Sequence, residues 1–186
     1  RQDEILWYYD DGHPESLDGN AVSQFCDDGR GNLWIATENG GLNHFDVRNR
    51  KFTNHTARSH NNLHALCKDG DDLLIGTFSQ GLDRMNLRTG KVVNYRNIPG
   101  DSASLCNDYV YAIFRASDGT IYVGTMSGMC TFDKRRGRFS RVEITEGRFI
   151  YDIAEDAGGN IWVASKVSGI YRYSPGDGTW KNYRHD

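Results

Sequence analysis

No run in this 186-residue chain approaches the ~20 consecutive apolar residues that a membrane-spanning helix needs, which excludes such a span within it. Prolines and methionines are scarce, three of each, and no apolar stripe of helical period runs for ten residues. A helical bundle is therefore excluded. There is no surplus of positive charge either: 22 Lys and Arg against 25 Asp and Glu give a formal net charge of −3. Nothing draws such a chain to phosphate backbones, and no nucleic-acid partner is expected. The four cysteines (Cys26, Cys67, Cys106, Cys130) form no CxxC pair and lack metal-ligand spacing. They are read as small buried hydrophobes. Cys26 and Cys67 hold the same place in successive repeats, which should put their Cα atoms beyond the ~7 Å a disulfide tolerates. The first residues, Arg1-Gln2-Asp3-Glu4, form no signal-peptide pattern and include no initiator Met. The chain is thus expected to be a piece of a longer protein, with any targeting or anchoring segment outside it.

Catalytic motifs are also missing. There is no G-x-S-x-G, no H-E-x-x-H and no phosphate-binding glycine loop. His60 and His64 stand at i, i+4, which suits a metal on a helix, but in extended chain that spacing is about 13 Å. They are read as solvated loop residues. The doublets Asp27-Asp28 and Asp71-Asp72 are explained by turn chemistry. No catalytic residue, metal or cofactor is expected.

What the chain does have is 38% hydrophobic residues, 21 glycines and 10 tyrosines, a composition of short strands and tight turns around a core. Four segments superimpose: GNLWIAT ending at Thr37, DDLLIGT at Thr77, GTIYVGT at Thr125 and GNIWVAS at Ser165. Each leads into a second match (ENGGLNHFD, FSQGLDRMN, MSGMCTFD, KVSGIYRYS) and then a third, headed by Phe52, Val92, Phe139 and Trp180. Upstream, an apolar residue lies 15 places before the Thr or Ser in three repeats (Val22, Val110, Ile150) and 14 before it in the other (Leu63).

Each unit holds four short strand-like runs, in the first repeat Ala21–Cys26, Leu33–Thr37, Gly41–Asp46 and Lys51–His55. A unit of about 40 residues with four antiparallel strands is a propeller blade. The expected fold is all-β: a β-propeller of four consecutive four-stranded antiparallel blades over 20–56, 61–96, 108–143 and 148–184, forming one domain over 1–186. Trp34, Leu74, Tyr122 and Trp162 share one position and should fill the space between adjacent sheets. ILWYYDDGHPESL at 5–17 matches NYRNIPGDSASL at 94–105, so Ile5–Tyr9 is expected to be the outer strand of a preceding blade. Four blades would then be an arc of a larger ring. Its uncovered faces predict self-association as a homodimer.

Asn32-Leu33-Trp34-Ile35-Ala36-Thr37 with Gly40-Gly41-Leu42, Ile75-Gly76-Thr77 with Gly81-Leu82, Val123-Gly124-Thr125, and Asn160-Ile161-Trp162-Val163-Ala164-Ser165 with Gly169-Ile170 carry one consensus. Together with the linker pairs Ser16-Leu17 and Ser104-Leu105, they closely resemble the two-component regulator propeller repeat. The third repeat departs most, with Gly128-Met129 in place of Gly-Gly-Leu. The resemblance implies the periplasmic sensor region of a hybrid histidine kinase of the Bacteroidetes type. Such sensors carry two seven-bladed propellers, an immunoglobulin-like domain, a membrane span and cytoplasmic signalling modules. They typically detect oligosaccharides and switch on glycan-utilisation genes. Membrane attachment would come only through parts outside this chain.

A ligand, an oligosaccharide or another small molecule, should meet the face formed by the loops leading into each blade and the loops between second and third strands. The candidate residues are Asn20, Asn62, Tyr109 and Arg148 from the first set, and Glu38, Asn39, Phe78, Gln80 and Lys166 from the second. Two other readings stay open. A propeller lyase or quinoprotein enzyme would need a ring of inward catalytic groups, where the innermost strands offer Gln24, Ala65, Ala112 and Asp152. A protein-interaction scaffold needs only the same rim.

Overall fold

The computed structural model describes residues 5–55 and 59–185. Sixteen strands form four separate four-stranded antiparallel sheets. Blade one holds β1 (Val22–Asp27), β2 (Leu33–Thr37), β3 (Gly41–Asp46) and β4 (Lys51–His55); blade two holds β5 (Leu63–Asp69), β6 (Asp72–Thr77), β7 (Leu82–Asn86) and β8 (Val92–Tyr95). Blade three holds β9 (Val110–Arg115), β10 (Ile121–Thr125), β11 (Gly128–Asp133) and β12 (Arg138–Val142); blade four holds β13 (Ile150–Glu155), β14 (Ile161–Ser165), β15 (Gly169–Ser174) and β16 (Thr179–Tyr183). Within each sheet the strands run in chain order. A short 3-10 turn, Glu143–Thr145, joins blades three and four. The fold is the β-propeller that the repeat predicts.

The irregular 14-residue offset of the second repeat has a local cause. Asp69 pairs with Asp72 across a two-residue turn, whereas in the first blade the paired ends are Asp27 and Leu33. The tighter hairpin removes residues from the offset without changing the ladder. The consensus Thr is buried in three blades, and its hydroxyl donates to the carbonyl that closes the β2–β3-type loop: Thr37 to Gly41 (3.1 Å), Thr77 to Gly81 (2.9 Å) and Thr125 to Gly128 (2.7 Å). The glycine after it must be glycine. Gly81 and Gly169 both sit at φ +77° and +75°, and a Cβ there would meet the Tyr95 or Tyr183 carbonyl oxygen at 2.2 or 2.1 Å.

The two inner sheets bury both faces by leaning on their neighbours, and each end sheet buries one in the same way. Trp34, Ala36 and Leu42 of blade one pack on Leu63, Leu66, Leu73, Ile75 and Met85 of blade two. Cys67, Leu74 and Leu82 then pack on Ile113, Ile121, Val123, Phe132 and Phe139 of blade three. Tyr122 and Met129 pack on Ile150, Ile153, Val163 and Tyr171 of blade four. At the opposite end from the loops leading into the blades, ion pairs tie blades two and three. Asp72 accepts from Arg84 (2.8 Å) and Lys134 (3.2 Å), and Asp69 accepts from Arg115 (2.8 Å) and Lys134.

The expected strand at 5–9 has no ladder here, because no strand of the described residues lies alongside it. Its side chains nevertheless take an outer-strand position. Tyr8 meets the stacked pair Phe45–Phe52 edge-on, with ring centroids 4.8 and 5.8 Å away. Tyr95, from the outer strand of blade two, meets the stacked pair Phe132–Phe139 of blade three at 5.0 and 5.8 Å. The two sockets are the same device, filled once by a strand and once by an extended segment. At the far end the device is unfilled: Tyr183 is 47% exposed, and so is Ile170, whose counterparts Leu42 and Leu82 are fully buried.

Candidate functional site

One backbone hydrogen bond, repeated four times, builds the face on which the candidate residues lie. The residue after the consensus Thr or Ser donates its N–H to the carbonyl just before the innermost strand: Glu38 to Ala21 (2.8 Å), Phe78 to Asn62 (3.0 Å), Met126 to Tyr109 (3.0 Å) and Lys166 to Phe149 (3.0 Å). Each innermost strand then carries a register shift two residues on, between Val22 and Gln24, Leu63 and Ala65, Val110 and Ala112, and Ile150 and Asp152. The extra residue of a bulge is re-aimed out of the pleat. At these four places it is Ser23, His64, Tyr111 and Tyr151.

The consequence is a row of rings across three blades. His64 lies 5.7 Å from Phe78 and 4.7 Å from Tyr111; Phe78 meets Tyr109 edge-on at 5.0 Å. Tyr111 lies 4.5 Å from Phe149 and stacks with Tyr151 at 6.4 Å, and the Lys166 ammonium sits over the Phe149 ring at 5.2 Å. Phe78 and Tyr151 are the open parts of this shelf, 38% and 62% exposed. Burial is the main force lowering the His64 pKa, opposed by the Glu38 carboxylate nearby. Burial also raises the Tyr111 hydroxyl, helped by its neighbours Tyr109, Tyr151 and Glu38. Both rings are therefore neutral near pH 7. Two polar atoms beside the rings, His64 Nε2 and Asn62 Oδ1, are buried and have no hydrogen-bond partner. A buried polar atom left unpaired is costly, and these two lie out of reach of solvent.

Of the nine candidates, the structure brings Asn62, Phe78, Tyr109 and Lys166 into this shelf, with Glu38 beside it. Arg148 is exposed at its edge, its backbone bonded to Gly128 and Thr145. The other three serve local structure. Asn20 Oδ1 accepts from the Asp10 N–H at 2.7 Å, Asn39 turns the chain at φ +69°, and Gln80 Oε1 accepts from Arg96. His64, expected as a solvated loop residue, instead stands in β5 with Nε2 buried, because the bulge turns it into the ring row. Tyr111, Phe149 and Tyr151 were not among the candidates. For Tyr111 and Tyr151 the signal is the residue following the apolar position upstream of each Thr or Ser, which is a ring in three consecutive repeats, and Phe149 holds the place of the candidate Tyr109 just before that position. Among the described residues, no group of three or more His, Cys, Asp or Glu side chains is placed to hold a metal.

The family model described as two component regulator propeller matches residues 16–39 and 104–127, each running from the linker through the second strand of its blade. A histidine kinase P4 of Formosa agariphila is 32% identical over a region covering 38% of this chain and 6% of its own length. The extracellular domain of a protein described as a hybrid two component system, BT3049 of B. thetaiotaomicron, superimposes with a TM-score of 0.83 at 23% identity, covering 98% of this chain and 24% of that one. A virginiamycin B lyase of Staphylococcus aureus, in an inactive form with quinupristin, superimposes at 0.70 with 13% identity over 96% of this chain and 58% of the lyase. At these identities the two structures share the fold alone. The chain spans about a quarter of the extracellular domain it matches and a small part of the kinase. Two of its four blades, the first and the third, carry the two component regulator propeller match.

Proposed function

We propose that the chain is an extracytoplasmic ligand-sensing module of a hybrid two-component sensor kinase, lying in the periplasm, and that its ligand is an oligosaccharide. The observation that carries this reading is the shelf of rings from Phe78 to Tyr151, with the exposed polar side chains Lys166 and Glu38 beside it. Pyranose faces are apolar and stack on Tyr and Phe, while their hydroxyls need hydrogen-bonding groups at the ring edge. The repeat match and the likeness to an extracellular sensor domain support the cellular setting. The signalling chemistry, and attachment to a membrane, would lie in other parts of the protein.

A second reading, a self-associating interaction module, is favoured by a specific observation. The end faces of the four-blade stack expose Phe25 (59%) and Ile170 (47%), whose counterparts between blades are buried, and Tyr183 (47%), whose counterpart Tyr95 is half-buried. A second copy packed end to end as a homodimer would cover them.

Calorimetric titration with a panel of defined host and plant oligosaccharides tests the first reading. Binding is expected without turnover of the sugar. Phe78→Ala, Tyr151→Ala and Asn62→Ala should each weaken it about tenfold, equivalent to ~1.4 kcal/mol. Unchanged affinity in all three variants would move the site elsewhere. Hydrolysis or elimination products would make the protein an enzyme.

A further inference from the structure

Cys106 and Cys130 come together where the linker at 96–109 crosses blade three. Cys106 precedes β9 and is pinned by its neighbour in the linker, since Asn97 Nδ2 donates to the Leu105 and Cys106 carbonyls at 2.7 and 3.1 Å. Cys130 lies in the middle of β11, fully buried in the same core cluster. Cys106 lines a cavity together with Met129, Arg141 and Val142, which flank Cys130 along β11 and across the ladder in β12, and Cys130 Sγ donates to the Val123 carbonyl at 3.8 Å. This open cavity, of about 520 Å³, is also lined by Asp101 and Glu146.

We propose that Cys106 and Cys130 are a redox pair, which closes to a disulfide by exchange with a small-molecule disulfide admitted through this cavity. The chemistry divides the roles. The Cys130 thiol and the Arg141 charge favour the thiolate of Cys106, whereas burial holds Cys130 protonated. The Cys106 thiolate attacks one sulfur of the incoming disulfide, forming a mixed disulfide and expelling one thiolate, which takes a proton. Cys130 then gives up its proton and attacks the Cys106 sulfur, expelling the second thiolate. Two protein thiols are oxidised and one external disulfide is reduced to two thiols. The bridge would tie the linker to β11, and so hold blade two against blade three. It does not depend on the identity of any ligand at the ring shelf.

The protein, equilibrated with oxidised and reduced glutathione and then alkylated, is read by peptide mass mapping. The expected result is alkylation of Cys26 and Cys67 only, a peptide linking Cys106 to Cys130, and a Tm about 5–10 °C above the fully reduced form for a loop of roughly 25 residues. Cys130→Ser should instead accumulate glutathione on Cys106, and Cys26→Ser should leave the bridge intact. Four alkylated thiols across all glutathione ratios, or glutathione resting on Cys106 of the unsubstituted protein, would overturn the proposal.

Discussion

Gly124→Val should lower stability by about 3 kcal/mol, seen as a fall of ~1–1.5 M in the urea midpoint. Gly124 faces the next blade, and even a single Cβ there would lie 2.6 Å from Ile150 Cγ2 and 3.1 Å from Ile150 Cβ. Its backbone is ordinary strand, so the penalty is one of space and not of dihedral strain. Gly76 has the same relation to Val110, with a Cβ meeting Val110 Cγ1 at 2.7 Å. The consensus thus alternates glycine or alanine at this point because the distance between blades is set there. Ala164 is the matching residue of blade four and is exposed. Ala164→Val is therefore the control and should change stability by less than ~0.5 kcal/mol. Equal losses in the two variants would mean that inter-blade packing is not what the small residue serves.

Phe132→Ala should cost about 3–5 kcal/mol by the same assay. The side chain is 5% exposed, stacks on Phe139 at 4.7 Å and receives the edge of Tyr95 at 5.0 Å. Truncation removes a ring from a socket whose walls are strands of two blades and can collapse little. The socket around Tyr8 gives an internal comparison. Tyr8 has the same ring geometry but is 40% exposed and belongs to no ladder. Tyr8→Ala should cost no more than ~1 kcal/mol, and a larger loss would show that residues 5–9 hold blade one in place more firmly than an extended segment should.

The architecture was legible because a propeller repeats its local rules. The consensus Thr, the following glycine and the small residue before the Thr each answer one contact, and each recurs at a fixed offset. Strand ranges such as Leu33–Thr37 and Lys51–His55 were therefore readable residue by residue. The ring shelf was only half legible. Loop position alone pointed to Asn62, Phe78, Tyr109 and Lys166, but Tyr111 and Tyr151 look like ordinary strand residues until the register shift turns them. His64 was read as solvated for the same reason. The contact between Cys106 and Cys130 was not legible at all. It joins a linker to a third strand, places that the repeat does not align, and only the packing of blade two on blade three brings them together.

The turn carboxylates illustrate the same division. Asp28 and Asp156 fill equivalent turns, and hydrogen bonds hold both well below the usual carboxylate range. For Asp28, burial works against the shift and is outweighed by Asn32, His44 and Arg30; for Asp156, Trp162 Nε1 is the leading donor, at 2.8 Å. In blade one His44 takes the place at Asp28 (3.0 Å), and Trp34 Nε1 is left buried without a partner. Turn chemistry explained the aspartates from sequence, but which side chain satisfies each one is decided by packing.

The central claim is that a ligand meets this protein on the bulge-built face of rings. Hydroxyl-radical footprinting, with and without a saturating oligosaccharide found by titration, tests it most directly. Protection of Phe78, Tyr109, Tyr111 and Tyr151 is the predicted result, with the exposed rings Trp7 and Tyr183 unchanged. Protection of Trp7 or Tyr183 with the shelf unchanged would contradict it.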